Sequence, residues 1–220
     1  LDGFFLYGFI LSWAEEDLFK WVDPKKRDTS KRDFDWLESM WLRAQVANNE
    51  NRTVGKLFSI SANVPKCLER FPDAKLLYMI RDPLSVIPSG LSLVTGVLDK
   101  KFGFWKLSED KRQHYIERLY KALVELQIRF HDDWVNNRFN KDNVMIVRFD
   151  RMMSDFEGLM DEIIDFTGHR SSEELKKDII NVAEKQRNYV SNHKYDLAKF
   201  GLSEERIKED CKDIYKTFLS

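Results

Sequence analysis

After Ser108, apolar residues return at steps of three and four: Ile116, Leu119, Leu123, Leu126, Phe130 and Trp134. That spacing is the stripe of one amphipathic α-helix of roughly five turns. His114 and His131 share this helix and are expected on its wet side. The same period puts Phe34, Leu37, Trp41 and Ala44 on one face of a helix from about Ser30, which Asn48 to Asn51 ends. Phe156, Leu159, Met160, Ile163 and Phe166 line another helix, opened by the capping box Ser154-Asp-Phe-Glu157 and closed by Gly168. A second box, Ser171 to Glu174, opens the next helix. After an irregular stretch from Tyr189 to Gly201, a last helix from Ser203 carries the stripe Ile207, Cys211, Ile214 and Phe218.

Short continuous apolar runs between turn residues predict strands: Val54 to Ile60, Leu76 to Ile80, and Val144 to Val147. Val64 to Arg70 fits a short helix. Asp82-Pro83 starts a helix with proline in its first turn; Pro88 kinks that helix or delays its start, and the helix ends near Gly96. The run from Phe4 to Leu11 is too short to span a bilayer and lacks a basic flank. It reads as a buried helix continuing to Leu18, Phe19 and Val22. Strands separated by helical stretches imply a parallel sheet, so the expected class is α/β with helix in excess, in a single domain over residues 1–220.

Composition narrows this little. A hydrophobic content of 43% with 33% charged residues is that of a globular domain. The net charge of -1 gives no global field that would select nucleic acid or a membrane surface. The basic stretch Lys25-Lys26-Arg27 and Lys31-Arg32 reads as a solvated loop. Cys67 and Cys211 lack metal-ligand or redox spacing, and no metal is expected.

The chemistry concentrates in one place. Arg81 follows the Leu76–Ile80 strand at its C-terminal tip, Asp82-Pro83 begins a helix, and Ser89 stands eight residues after Arg81. Ligands of open α/β sheets bind beyond the carboxyl ends of the strands. A guanidinium there, with a hydroxyl two helical turns on, suits an anion such as a phosphate. The same arrangement also fits an Arg81–Asp82 pair or a cap on the sheet.

Phe71-Pro-Asp-Ala-Lys, the strand, and Arg81-Asp-Pro with Ser89 resemble the 3′-phosphate-binding segment of sulfotransferases that use 3′-phosphoadenosine 5′-phosphosulfate. Val147-Arg-Phe149-Asp150, and the helix ending Asp165-Phe-Thr-Gly168, resemble their later strand and helix end. Tyr189-x-Ser-x-His193-x-Tyr195, with Phe200-Gly-Leu-Ser, is similar to the tail of this group. The resemblance runs from about Val54 to the C-terminus. It implies a fold related to P-loop kinases and transfer of a sulfonate from the nucleotide co-substrate to a hydroxyl or amine. Carbohydrate, lipid, phenol and protein acceptors all fit.

Carried over residue by residue, the resemblance gives Arg81 and Ser89 to the 3′-phosphate. Lys56, at the place of a lysine near the end of the preceding strand, would offset charge building on the sulfonate. His193, with Lys194 or Arg187, would line the nucleotide site, and Asp150 would take a structural hydrogen-bonding role. Phe102, Phe104 and Trp105 either border an acceptor cleft or pack as core.

The departures are equally specific. The family's strand followed by a Pro-Arg-Ser-Gly-Thr-Thr-like loop has no counterpart in these residues, and Leu57-Phe-Ser-Ile-Ser replaces the usual Pro and His. With Leu1 in first position, the leading expectation is the C-terminal portion of a sulfotransferase, inactive in isolation. The alternative is an inactive sulfotransferase-like binding or scaffold protein. A P-loop small-molecule kinase is a third, against which the absence of a Gly-x4-Gly-Lys-Ser/Thr motif counts. The compartment follows the source: cytoplasm for a bacterial chain, with the Golgi lumen open to a eukaryotic one.

Overall fold

The computed structural model describes residues 25–188 and 196–220. The expected helix ahead of Val22, His193, Lys194 and the Tyr189–Tyr195 motif lie outside them. In chain order the regular elements are α1 (Ser30–Asn48), α2 (Val64–Arg70), β1 (Leu76–Ile80), α3 (Pro83–Phe102) and α4 (Glu109–Val135). Then come β2 (Val144–Arg148), α5 (Phe149–Ser154), α6 (Phe156–Thr167), α7 (Glu173–Arg187) and α8 (Glu204–Asp210). A helical turn at Lys212–Ile214 and a π-helical turn at Tyr215–Leu219 follow. The result is a mostly helical α/β chain whose described residues contain one two-stranded parallel sheet.

The chain divides into two compact units, Leu1–Pro72 with Leu93–Phe139, and Asp73–Ser92 with Asn140–Ser220. In the first, α4 supplies the longest apolar face: Ile116, Leu119, Leu123, Leu126 and Phe130 are all buried, as their spacing predicts. Ser108 precedes it, and Glu109 and Asp110 occupy its first turn, where carboxylates favour the positive end of the helix dipole. Phe71, just past α2, receives Phe34 edge-on at 5.8 Å and Trp41 at 5.3 Å, which ties α1 to α2.

Two expectations change in this unit, and one open alternative is resolved. Val54 to Ile60 is not a strand: residues 52–57 are irregular, and Phe58–Ala62 is a 3-10 turn. Tight winding there carries Ile60, Ala62 and Val64 into the interior, where Ala62 clusters with Leu126 of α4. A strand would have needed a ladder partner for its amide groups, whereas the turn bonds internally. Phe104 is core, edge-on to Trp105 at 5.0 Å and to Tyr115 at 5.5 Å, while Phe102 is exposed. His131 is not on the wet side; its side chain is only 12% exposed, with Nδ1 3.3 Å from Asp132 Oδ1. Buried polar groups interrupt the α4 face as well. Arg129 pairs with Glu125 at 2.8 Å, and burial raises the Asp133 carboxyl pKa although Arg138, 3.1 Å away, opposes it.

Helix α3 belongs to the second unit up to Ser92 and to the first from Leu93. It starts at Pro83 without delay and includes Pro88. It passes Gly96 and stops at Gly103, whose φ of 66° terminates it in the left-handed region. Nothing lies within 4 Å of where a Cβ on Gly96 would sit, so that glycine serves as an ordinary helical position. The apolar stripe Leu91, Val94 and Leu98 continues through it.

In the second unit β1 and β2 pair in parallel from Leu76–Val144 to Ile80–Arg148. Lys75 anchors the start of both strands: its Nζ donates to Asp142 O at 2.9 Å and Asn143 Oδ1 at 3.1 Å, and lies 5.1 Å from the Phe166 ring centroid. The caps that open α6 and α7 sit one residue later than the capping boxes predict. Asp155 Oδ1 accepts from Gly158 N, and Ser172 Oγ accepts from Leu175 N. Ser154 instead ends α5, the short helix that the sequence pattern did not separate. Gly168 closes α6 at φ 65°, as expected. The stripe Ile207, Cys211, Ile214 and Phe218 is buried throughout.

Candidate functional site

The tips of β1 and β2 define the site. Because the strands pair in register up to Ile80 and Arg148, the next residues, Arg81 and Phe149, also come side by side. The Arg81 guanidinium carbon lies 4.2 Å from the centroid of the Phe149 ring. A planar cation over an aromatic face gains about 0.5–2 kcal/mol, depending on its hydration. Contact with the π face of a ring does not use up the N–H donors of a guanidinium. Among the described residues, no carboxylate pairs with Arg81. The Arg81–Asp82 pair is therefore not formed.

Asp82 is occupied elsewhere. Its Oδ1 accepts from Leu84 N at 2.9 Å, and its carbonyl accepts from Ser85 N and Val86 N at 2.8 and 3.0 Å. It is the N-cap of α3, with Pro83 in the first position, where a missing N–H costs nothing. The Tyr215 hydroxyl also donates to Asp82 Oδ1, at 2.5 Å, bringing in a residue 133 positions away. Burial, reinforced by the Asp82 carboxylate, raises the phenol pKa, which keeps the hydroxyl a donor.

Ser89 is half-buried in the second turn of α3. Positions 82, 85 and 89 follow helical spacing, so its hydroxyl belongs to the stripe that begins at the cap. Among the described residues its side chain has no hydrogen-bond partner.

At the tip of β2, Arg148 forks onto Asp150, with Nε 3.0 Å from Oδ1 and Nη2 2.7 Å from Oδ2. Its Nη1 donates at 3.4 Å to the carbonyls of Phe218 and Ser220. The Arg148 hydrogen bonds hold the Asp150 carboxyl well below the usual range, at about 2. A carboxylate so acidic is a weak proton acceptor at neutral pH, which fits Asp150 to a structural role.

Lys56 lies in the irregular, exposed stretch of the first unit rather than on a strand. His114 and His169 are exposed. Among the described residues, no group of three His, Cys, Asp or Glu side chains is placed to hold a metal ion, and no helix is long and apolar enough to cross a membrane. The part played by Phe149 depends on the pairing register of the two strands and on β2 running on to Arg148, one residue past the expected Val147. That of Tyr215 left no sequence signal at all.

No curated protein and no solved structure matches the chain. A family model described as "Sulfotransferase family" matches residues 17–173, a span that includes both strands, Arg81, Ser89 and Phe149. With well over half of its length matched, the chain belongs to the sulfotransferase family.

Proposed function

We propose that this chain serves transfer of a sulfonate group from 3′-phosphoadenosine 5′-phosphosulfate to a hydroxyl or amine acceptor, with Arg81 and Ser89 holding the 3′-phosphate of the donor. The observation that carries the reading is the Arg81 guanidinium at the tip of β1, over the Phe149 ring and without a carboxylate partner among the described residues, in a member of the sulfotransferase family. A phosphate monoester offers what that group lacks: oxygens that accept two parallel N–H bonds. The bound nucleotide supplies the activated sulfonate. The chain's own residues supply the anion contacts, and Lys56 is assigned the offset of developing charge. A parallel sheet of the P-loop-kinase kind is the architecture this reading implies.

The test is a calorimetric titration with adenosine 3′,5′-bisphosphate and with adenosine 5′-phosphate. The bisphosphate should bind more tightly, and Arg81→Gln should weaken it by roughly tenfold or more, the worth of hydrogen bonds to a charged group. The 5′-phosphate should be little affected. Equal affinity for both nucleotides, or an unchanged preference in Arg81→Gln, would sink the assignment.

One sequence feature favours a second reading, a sulfotransferase-like binding or scaffold protein. No Gly-rich loop of the phosphate-cradling kind occurs in the 220 residues. On that reading the chain binds the bisphosphate without turnover, and measurable sulfonate transfer to any acceptor rules it out.

A further inference from the structure

A cavity of about 320 Å³ opens on the first two turns of α4, lined by Leu107, Lys111, His114, Tyr115 and Arg118. Nothing in the sulfonate-donor reading uses it. Residues 111, 114, 115 and 118 follow the i, i+3, i+4, i+7 pattern, so their side chains share one face of the helix. Leu107 closes the rim, and its loop is fixed from behind: Arg112 Nη1 donates to Leu107 O at 2.6 Å and to Trp105 O at 3.1 Å. The floor is rigid for a different reason. Tyr115 is 2% exposed and held edge-on by Phe104, itself fully buried.

The charged side chains of the described lining are all of one sign. Lys111 and Arg118 carry positive charge, His114 adds an imidazole, and no carboxylate is among the described lining residues. Glu117, on the neighbouring face, lies 3.6 Å from Lys121 one turn on. Arg118 is only 8% exposed, with its guanidinium carbon 5.8 Å from the Tyr115 ring centroid. Burial lowers the pKa of that guanidinium, the mark of a cation held away from water.

From this we infer that the Leu107–Arg118 cavity is a binding site for a small organic anion: an apolar body against Leu107 and Tyr115, with a carboxylate or sulfate head between Lys111, His114 and Arg118. Its volume is at the lower end of small-molecule pockets, which run from about 300 Å³ upward. That suits a ligand of one or two rings rather than a nucleotide.

The experiment uses the full 220-residue chain and three probes read by isothermal titration: 2-naphthyl sulfate, 2-naphthoate and neutral 2-naphthol. Either anion, or both, should bind at least roughly tenfold more tightly than the naphthol, as charge-assisted hydrogen bonds require. Which anion is preferred identifies the head group. Lys111→Gln with His114→Gln, both at exposed positions, should weaken anion binding several-fold, Arg118 retaining the remainder, while leaving the melting temperature in place. Arg81→Gln should leave probe binding unchanged, so a failed donor-site assignment and a failed cavity assignment give different results. Three outcomes overturn the inference: no binding of either anion, equal binding of anion and naphthol, or an anion affinity that the double substitution leaves unchanged.

Discussion

Arg81 meets two neighbours of opposite character, and only one of them holds it. Asp82 is adjacent in sequence and of complementary charge, yet its carboxylate is committed to the Leu84 amide and the Tyr215 hydroxyl. Phe149, 68 positions away, takes the guanidinium instead. The side chain that sets this division is Tyr215. Replacing it with Phe keeps the ring and removes a single donor. The expected cost is about 1 kcal/mol, the ordinary net worth of one hydrogen bond, because Asp82 keeps its amide partner. Urea denaturation of Tyr215→Phe checks this, and a midpoint identical to the parent's would show that the contact contributes nothing. Asp150 illustrates the reverse case, a carboxylate whose charge is locked in by a two-pronged arginine.

At the scale of elements, the one-residue displacement of the α6 cap gives a clean comparison. Asp155→Ala removes the acceptor for Gly158 N and should cost about 1 kcal/mol, whereas Ser154→Ala, at the end of α5, should cost close to nothing. Asp155→Asn should restore most of the loss, since asparagine caps as well as aspartate. Thermal unfolding of the three variants decides which register holds; a larger loss in Ser154→Ala would restore the capping box. Gly158 belongs to the same device, because a Cβ there would come within 2.7 Å of both Asp155 carboxylate oxygens. What was legible in advance follows physical lines. Helix α4 and strands β1 and β2 were readable because long stripes and bounded apolar runs have few alternative solutions. Val54 to Ile60 was not, because a short apolar run states that it will be buried, not by which backbone. Gly96 misled because glycine signals freedom rather than use; the left-handed turn comes at Gly103. The candidate site was half legible: Arg81 and the cap are local, whereas the Phe149 platform and the Tyr215 contact depend on tertiary pairing.

Taken as a whole, the molecule stores ionisable groups in its interior, and this sets its response to alkali. Burial pushes the Cys67 thiol up to about 11 and the Cys211 thiol up to about 12. Burial raises the Tyr78 and Tyr115 phenols as well. A folded-state pKa above the unfolded one means that the unfolded chain sheds its proton first. The stability the two thiols contribute is therefore complete below about pH 8.5, where even the unfolded thiols stay protonated, and is lost as pH rises toward 11–12. Urea midpoints should fall across that interval, and neither thiol should react with a disulfide reagent at pH 8 until the chain unfolds. Rapid labelling of the native chain would contradict both placements. The sheet has a consequence of another sort. Two five-residue strands running level deliver a cation and a ring to the same side of the sheet, and side chains alternate sides with every residue. One residue inserted within Leu76–Ile80 would therefore turn the guanidinium away from its aromatic neighbour. The same insertion at Pro72 or Asp73, ahead of the Lys75 anchor, could be taken up in the connecting turn. Tolerance to added or lost residues should thus change abruptly between Asp73 and Leu76, a boundary drawn by parity rather than by burial.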